Sequence, residues 1–165
     1  MDDITEYRLY TFGNFYLSSI QQGIQAAHCL GELFLKYTHN TPARETLLDW
    51  AEDHKTMICK NGGAQEQLRE LIELFDTDNN QYPWSYFEEE EGALNGALTC
   101  VAIVVPDTIY DLGTSLARDY QKGLAHYSVD RNEDIFMYAK AGKSYVYNSF
   151  EDDLINTIMR SRNAT

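Results

Sequence analysis

Basic side chains are scarce in this chain: 13 Lys and Arg stand against 26 Asp and Glu, a formal charge of −13. Extended nucleic acids are bound mainly through phosphate neutralisation by Lys and Arg, so this balance disfavours tRNA as a partner. A small anionic ligand needs only one favourable pocket and stays open, beside the plainer reading of solubility. Long apolar runs are missing too. No stretch reaches the ~20 apolar residues of a membrane span, and the opening MDDITEYRLY is acidic where a secretory leader is basic. No membrane association is therefore expected, and the expected location is cytoplasmic. Cysteine is sparse and odd in number, with Cys29, Cys59 and Cys100 far apart in apolar surroundings. These read as reduced, buried thiols rather than disulfides or metal ligands. His39, His54 and His126 show no metal-ligand spacing with one another or with the cysteines, so neither a metal nor a cofactor is expected. Internal repeats and linkers are also missing.

What is present reads as one domain over residues 1–165 with a core large enough to need no staples. EYRLYTF alternates and marks a strand. A helix follows from about Ser18 to Tyr37, and THNTPARET is a connection in which Pro42 is either a breaker or a first-turn residue. A short amphipathic segment around Leu47, Leu48 and Trp50 precedes a second strand, KTMICK. NGG then turns the chain into AQEQLRELIELF, the clearest helix, with Leu68, Leu71, Ile72 and Phe75 as its buried stripe. WSYFE is a third strand. TCVAIVVP is apolar without interruption, as a central strand covered on both faces must be. The alternation predicts a three-layer α/β/α domain around a small mixed four-stranded sheet. Beyond it, DTIYDLGTSLARDYQKG is helical in part, and DIFMYAKAGKSYVYN forms a hairpin turning at Ala141, Gly142 and Lys143. SFEDDLINTIMRSR closes the chain as a helix, with Ser149 and Asp152 as a capping box. This last third is expected to be an elaboration packed on the same core.

One stretch carries more than structure. In SSIQQGIQAAHC, Ser18 and Gln21 form a capping box that opens the first helix. Ile20, Ile24, Ala27 and Leu30 recur at helical spacing and predict its buried face. Gln21, Gln25 and His28 form a second, uncharged stripe beside it. A neutral imidazole there can accept a hydrogen bond from a ligand or act as general base for attack by water or a ribose hydroxyl. His28 and Cys29 sit about 100° apart on the helix, wrong for a nucleophile–base pair.

The order of these elements resembles class II peptidyl-tRNA hydrolases over about residues 7–112. The QAAH at Gln25 to His28 is similar to that family's first-helix motif, Gly-Lys followed by Ala-Ala-Gln-x-x-His-Ala. Trp50 and Lys55 before the second strand, the QLRELIELF helix and the Thr99 to Pro106 strand continue the similarity. The resemblance implies catalytic roles for Gln25, His28 and Glu88, and a ligand held by Gln21, Gln25, His28, Glu89 and Thr99. With His28 aligned, the family's essential lysine falls at Gln21, and its acidic loop residue falls near Glu88 or Glu89 in EEEEG. Losing that cation removes on the order of a hundredfold or more in rate, so orthodox ester cleavage is not expected. The aromatic opening and the C-terminal hairpin and helix resemble divergent, phage-encoded members. The implied function is binding, with or without hydrolysis, of a small nucleotide-type ligand, as in a viral antagonist of host nucleotide-based defence signalling, acting in the host cytoplasm. Two alternatives stand: an active peptidyl-tRNA hydrolase in which Lys55 or Lys60 replaces the lost cation, and an acidic protein that inhibits a basic host protein.

Plainer readings stand beside these. Adjacent residues of the Glu88 to Glu91 run point to alternate sides, so at most two converge, and a solvated rim explains the run. KNGGAQEQL is an ordinary turn or a weak anion site at a helix N-terminus. Tyr82, Trp84, Tyr86, Phe136, Tyr138, Tyr145 and Tyr147 mark sheet faces, with base stacking or a homodimer contact left open.

Overall fold

A computed structural model describes residues 5–92, 96–121, 127–130, 134–140 and 143–164. The chain divides into two compact units, one running to Pro106 and resuming at Ser161, the other Asp107–Arg160.

The first unit is built on strand β1 (Tyr7–Asn14), whose Leu9, Tyr10 and Phe12 are wholly buried. It lies between β2 (Thr56–Gly63), parallel to it, and β4 (Leu98–Pro106), antiparallel to it. β3 (Trp84–Glu88) pairs antiparallel with β4 at the edge, giving a mixed sheet in the order β2-β1-β4-β3. The uninterrupted apolar run of β4 is buried from Leu98 through Val105, as its central place demands. Helix α1 (Ser19–Lys36) lies on one face, where Ala26, Cys29 and Leu33 pack on Leu9, Cys100, Ala102 and Val104. Leu47 of α2 (Pro42–Asp49) and Trp50, which opens a π-helical turn through His54, complete that layer. Pro42 is the first residue of α2, where its missing N–H is harmless. Helix α3 (Gln65–Phe75) covers the other face, with Phe75 packed on Phe12 at 6.3 Å between ring centroids. The unit is thus the expected three-layer α/β/α arrangement.

Two local expectations need correction. NGG is not a turn; β2 runs on to Gly63, and only there, at φ +84°, does the backbone leave the strand. Gly62 is required by packing, because a Cβ would come within 2.5 Å of the Leu68 side chain. The face of α1 is also reversed. Ile20 is 77% and Ile24 50% exposed, while Gln22 and Gln25 are buried with Ala26, Cys29 and Leu33.

The second unit holds α4 (Asp107–Gln121), a three-stranded antiparallel sheet and α5 (Ser149–Arg160). Its strands are β5 (Tyr127–Asp130), β6 (Ile135–Lys140) and β7 (Lys143–Tyr147), and β5 was not expected from the sequence. β6 and β7 form the expected hairpin, whose turn residues Ala141 and Gly142, like His126, lie outside the described residues. The cap of α5 sits one residue earlier than expected. Asn148 Oδ1 accepts from the Glu151 amide at 2.8 Å, and Glu151 Oε1 accepts from the Asn148 amide at 3.3 Å. Ser149 instead bonds Asp134, its hydroxyl donating to Oδ2 at 3.0 Å. The second unit ends at Arg160, and the tail belongs to the first, where the Ala164 amide donates to the Cys59 carbonyl at 2.9 Å. Among the described residues, no helix is long and apolar enough to cross a membrane.

Candidate functional site

The buried polar row of α1 packs beside the outer edge of the sheet. Gln25, only 7% exposed, donates from Nε2 to Glu89 Oε1 at 2.8 Å. Its Oε1 accepts from the Thr99 hydroxyl at 2.9 Å, and the same hydroxyl lies 3.3 Å from the Phe87 carbonyl. One amide thus ties α1 to β4 and to the loop after β3. A buried amide left without partners would be costly, so the network fixes both the glutamine rotamer and the position of the Glu89 carboxylate. One helical turn on, the exposed ring of His28 stacks on Phe87 at 4.6 Å and 10° between planes. Among the described residues the His28 imidazole makes no hydrogen bond, so the Phe87 ring fixes its plane but no partner fixes which nitrogen carries the proton.

Gln25, His28, Glu89 and Thr99 are therefore brought together, and two other candidates are not. Gln21 lies at the helix start, exposed, with its Oε1 accepting from the Ser18 amide at 3.0 Å to complete the capping box. Glu88 is drawn away from Gln25, its carboxylate 3.7 Å from Arg69 of α3. The pairing with β4 shifts register between Phe87 and Glu88, at the open edge of the sheet: Phe87 stacks on His28 of α1, whereas the Glu88 carboxylate reaches Arg69 of α3 while still bordering the groove along that edge.

Further along α1, an open groove of about 480 Å³ runs between the helix and β3, lined by Glu32, Leu35, Lys36, Ser85, Tyr86, Phe87 and Glu88. Lys36 is its one lining cation. The ammonium lies 3.6 Å over the Trp84 ring and donates to the Trp84 carbonyl at 3.0 Å. Burial lowers its pKa, with Asp76 acting the other way. Tyr37 accepts from the Trp84 amide at 3.0 Å and is 3.3 Å from its carbonyl, and burial raises the pKa of its phenol. Sequence reasoning missed Lys36, Tyr37 and Phe87. The only signal for Lys36 was a base in a last helical turn, which the helix dipole already explains.

Lys55 and Lys60 do not line this groove. Lys60 belongs to β2, on the opposite edge of the sheet, and donates to the Ser161 carbonyl at 3.2 Å. Lys36 is eleven residues from Gln25, about 16 Å along the helix, too far to replace a charge beside it. All three cysteines are free thiols; Cys29 and Cys100 are buried, whereas Cys59 is only partly so. The hydrogen bond with Cys29, with burial, pushes the Cys100 thiol well up, so it is inert as a nucleophile. No three His, Cys, Asp or Glu side chains converge to hold a metal among the described residues.

No family model matches the chain, and no curated protein matches it significantly.

Proposed function

We propose that this protein is a divergent, peptidyl-tRNA hydrolase-like binder of a small nucleotide-type ligand, held on the exposed His28–Phe87 stack and reaching from there into the groove between α1 and β3, which Phe87 also lines. The observation that carries this reading is the exposed, parallel His28–Phe87 stack standing beside a fixed amide–carboxylate pair. A heteroaromatic base placed on the outer face of His28 would extend the stack, a contact worth about 1–3 kcal/mol per base. Glu89 then accepts from exocyclic amino groups, with its position set by Gln25. Lys36 lies eight residues beyond His28, about 12 Å along the helix, a separation suited to the phosphate end of the same molecule.

The reading is retention rather than turnover. Hydrolysis needs an oriented base and a charge facing the developing oxyanion. The His28 imidazole has no hydrogen-bond partner among the described residues to set its tautomer, and the groove's cation stands far from Gln25. A viral protein that sequesters a host signalling nucleotide is the setting this implies.

The test is mass spectrometry of cyclic di- and trinucleotides, ADP-ribose derivatives and a peptidyl-tRNA incubated with the protein, before and after heat denaturation. A nucleotide that disappears and returns unchanged on denaturation is the expected result, with at least tenfold weaker retention in His28→Ala. Conversion of a nucleotide to a new mass would replace retention by hydrolysis. Cleavage of peptidyl-tRNA alone would refute the proposal.

A further inference from the structure

The hydrogen bonds that hold Glu89 run in one direction, and that direction sets what the site accepts. Thr99 donates its hydroxyl proton to Gln25 Oε1 at 2.9 Å, and Gln25 Nε2 donates to Glu89 Oε1 at 2.8 Å. Turning the amide over would set its oxygen against the Glu89 carboxylate, acceptor to acceptor, so the reverse order is excluded. The chain of donors therefore ends in Glu89, which has no proton to give. Among the described residues its second oxygen, Oε2, accepts no hydrogen bond and joins no ion pair. Glu89 is part-exposed, so its remaining lone pairs are open to a ligand.

Stacking discriminates little between bases, because every base has a face to offer. The edge of the base does discriminate. The carboxylate stands close to the stack: Gln25, which holds it, precedes His28 by about 4.5 Å along α1, and Glu89 follows Phe87 by two residues. A carboxylate with a lone pair open on each oxygen matches two adjacent N–H donors. Guanine alone among the common bases carries such a pair, at N1 and N2. Adenine and cytosine set a ring-nitrogen lone pair beside their amino group, and uracil flanks its single N–H with carbonyls. Those lone pairs would face the carboxylate and repel it. The groove's lining cation, Lys36, lies about 12 Å along the helix from His28, too far to offset that repulsion.

We propose that Glu89 makes this site selective for guanine nucleotides, its carboxylate accepting from N1–H and N2–H of a base stacked on His28. The inference rests on the nucleotide reading of the same site and adds the base that the site selects. Gln25 and Thr99 are positioning residues for it, since they fix Glu89 through their own hydrogen bonds.

Isothermal titration calorimetry of the full chain with GDP, IDP, ADP, CDP and UDP tests it, each ligand carrying one base and a phosphate end. IDP keeps the N1–H of GDP and lacks only its N2 amine. GDP should bind at least tenfold more tightly than IDP, and ADP, CDP and UDP should bind no better than IDP. Glu89→Gln presents one acceptor and one donor, the pattern that fits adenine, so the ratio of GDP to ADP affinity should fall at least tenfold. Glu90→Gln changes an exposed neighbour and should leave that ratio as it is. Diphosphates that all bind alike, or a ratio unmoved by Glu89→Gln, would overturn the selectivity and leave the nucleotide reading standing. Failure of all five to bind at about 1 mM would overturn that reading and this inference with it.

Discussion

Helices α1 and α3 cover opposite faces of one sheet, yet they obey different rules. α3 buries Leu68, Leu71 and Phe75 and turns its acids outward, as amphipathic periodicity predicts. α1 does the reverse over its first half, burying Gln22 and Gln25 while exposing Ile20 and Ile24. Hydrophobicity alone therefore does not choose the buried face. Ala26 and Cys29 are small and let α1 lie close to β4, and Thr99 and Glu89 offer Gln25 partners for both ends of its amide. Gln22 is less well served: its Nε2 reaches the Leu17 carbonyl at 3.2 Å, but its Oε1 is buried without a partner.

The sharpest way to break the contrast is to delete an apolar side chain from each helix. Phe75→Ala removes a wholly buried ring and should lower unfolding free energy by about 3–5 kcal/mol. Ile24→Ser removes a half-exposed side chain and should change monomer stability by no more than about 0.5 kcal/mol. Urea unfolding reads both. A loss above about 2 kcal/mol in Ile24→Ser would mean that the face of α1 has been taken backwards.

Gln25→Leu tests the polar side of the same helix. The substitution keeps the volume but leaves the Thr99 hydroxyl only its longer bond to the Phe87 carbonyl and frees the Glu89 carboxylate, so a loss of about 1–3 kcal/mol is expected. A buried face that worked by hydrophobicity would instead gain stability. Proton–deuterium exchange at the amides of the loop after β3 would show whether Glu89 loosens with it.

Much of this was legible from residue order. The apolar run from Thr99 to Val105 could only be a central strand, and Ser18 with Gln21 marked the start of α1 to the residue. The phase of α1 was not legible, because two stripes at the same spacing compete and only the partners opposite, distant in sequence, decide between them. For the same reason Glu88 and Glu89 were indistinguishable until β3 ended at Glu88 and set which of them faces α1. Gly62 looked like a turn because its need for space arises from Leu68, six residues later, across the strand–helix contact. Asn148 and Ser149 are both good caps, and Asp134, in a different element, captured the serine.

The smallest expected effect lies where α1 ends, at the two groups holding the edge of β3. Burial raises the Tyr37 phenol above its ordinary 10.0, so its stabilising contribution is complete below about pH 10 and is lost as pH climbs through the folded value. Lys36 is lowered from 10.5 by burial, so between its folded value and 10.5 the unfolded chain binds more protons and stability rises with pH. The two slopes oppose each other across one carbonyl, that of Trp84. Tyr37→Phe removes the falling slope and leaves the rising one. Its urea midpoint, although lower throughout for want of the hydrogen bonds, should fall less than the wild type's between about pH 9 and about pH 11. Both groups are half-exposed, so solvent screening keeps the difference well under about 1 kcal/mol. Parallel curves would mean that Tyr37 titrates alike in both states and that the end of α1 grips β3 less closely than its middle does.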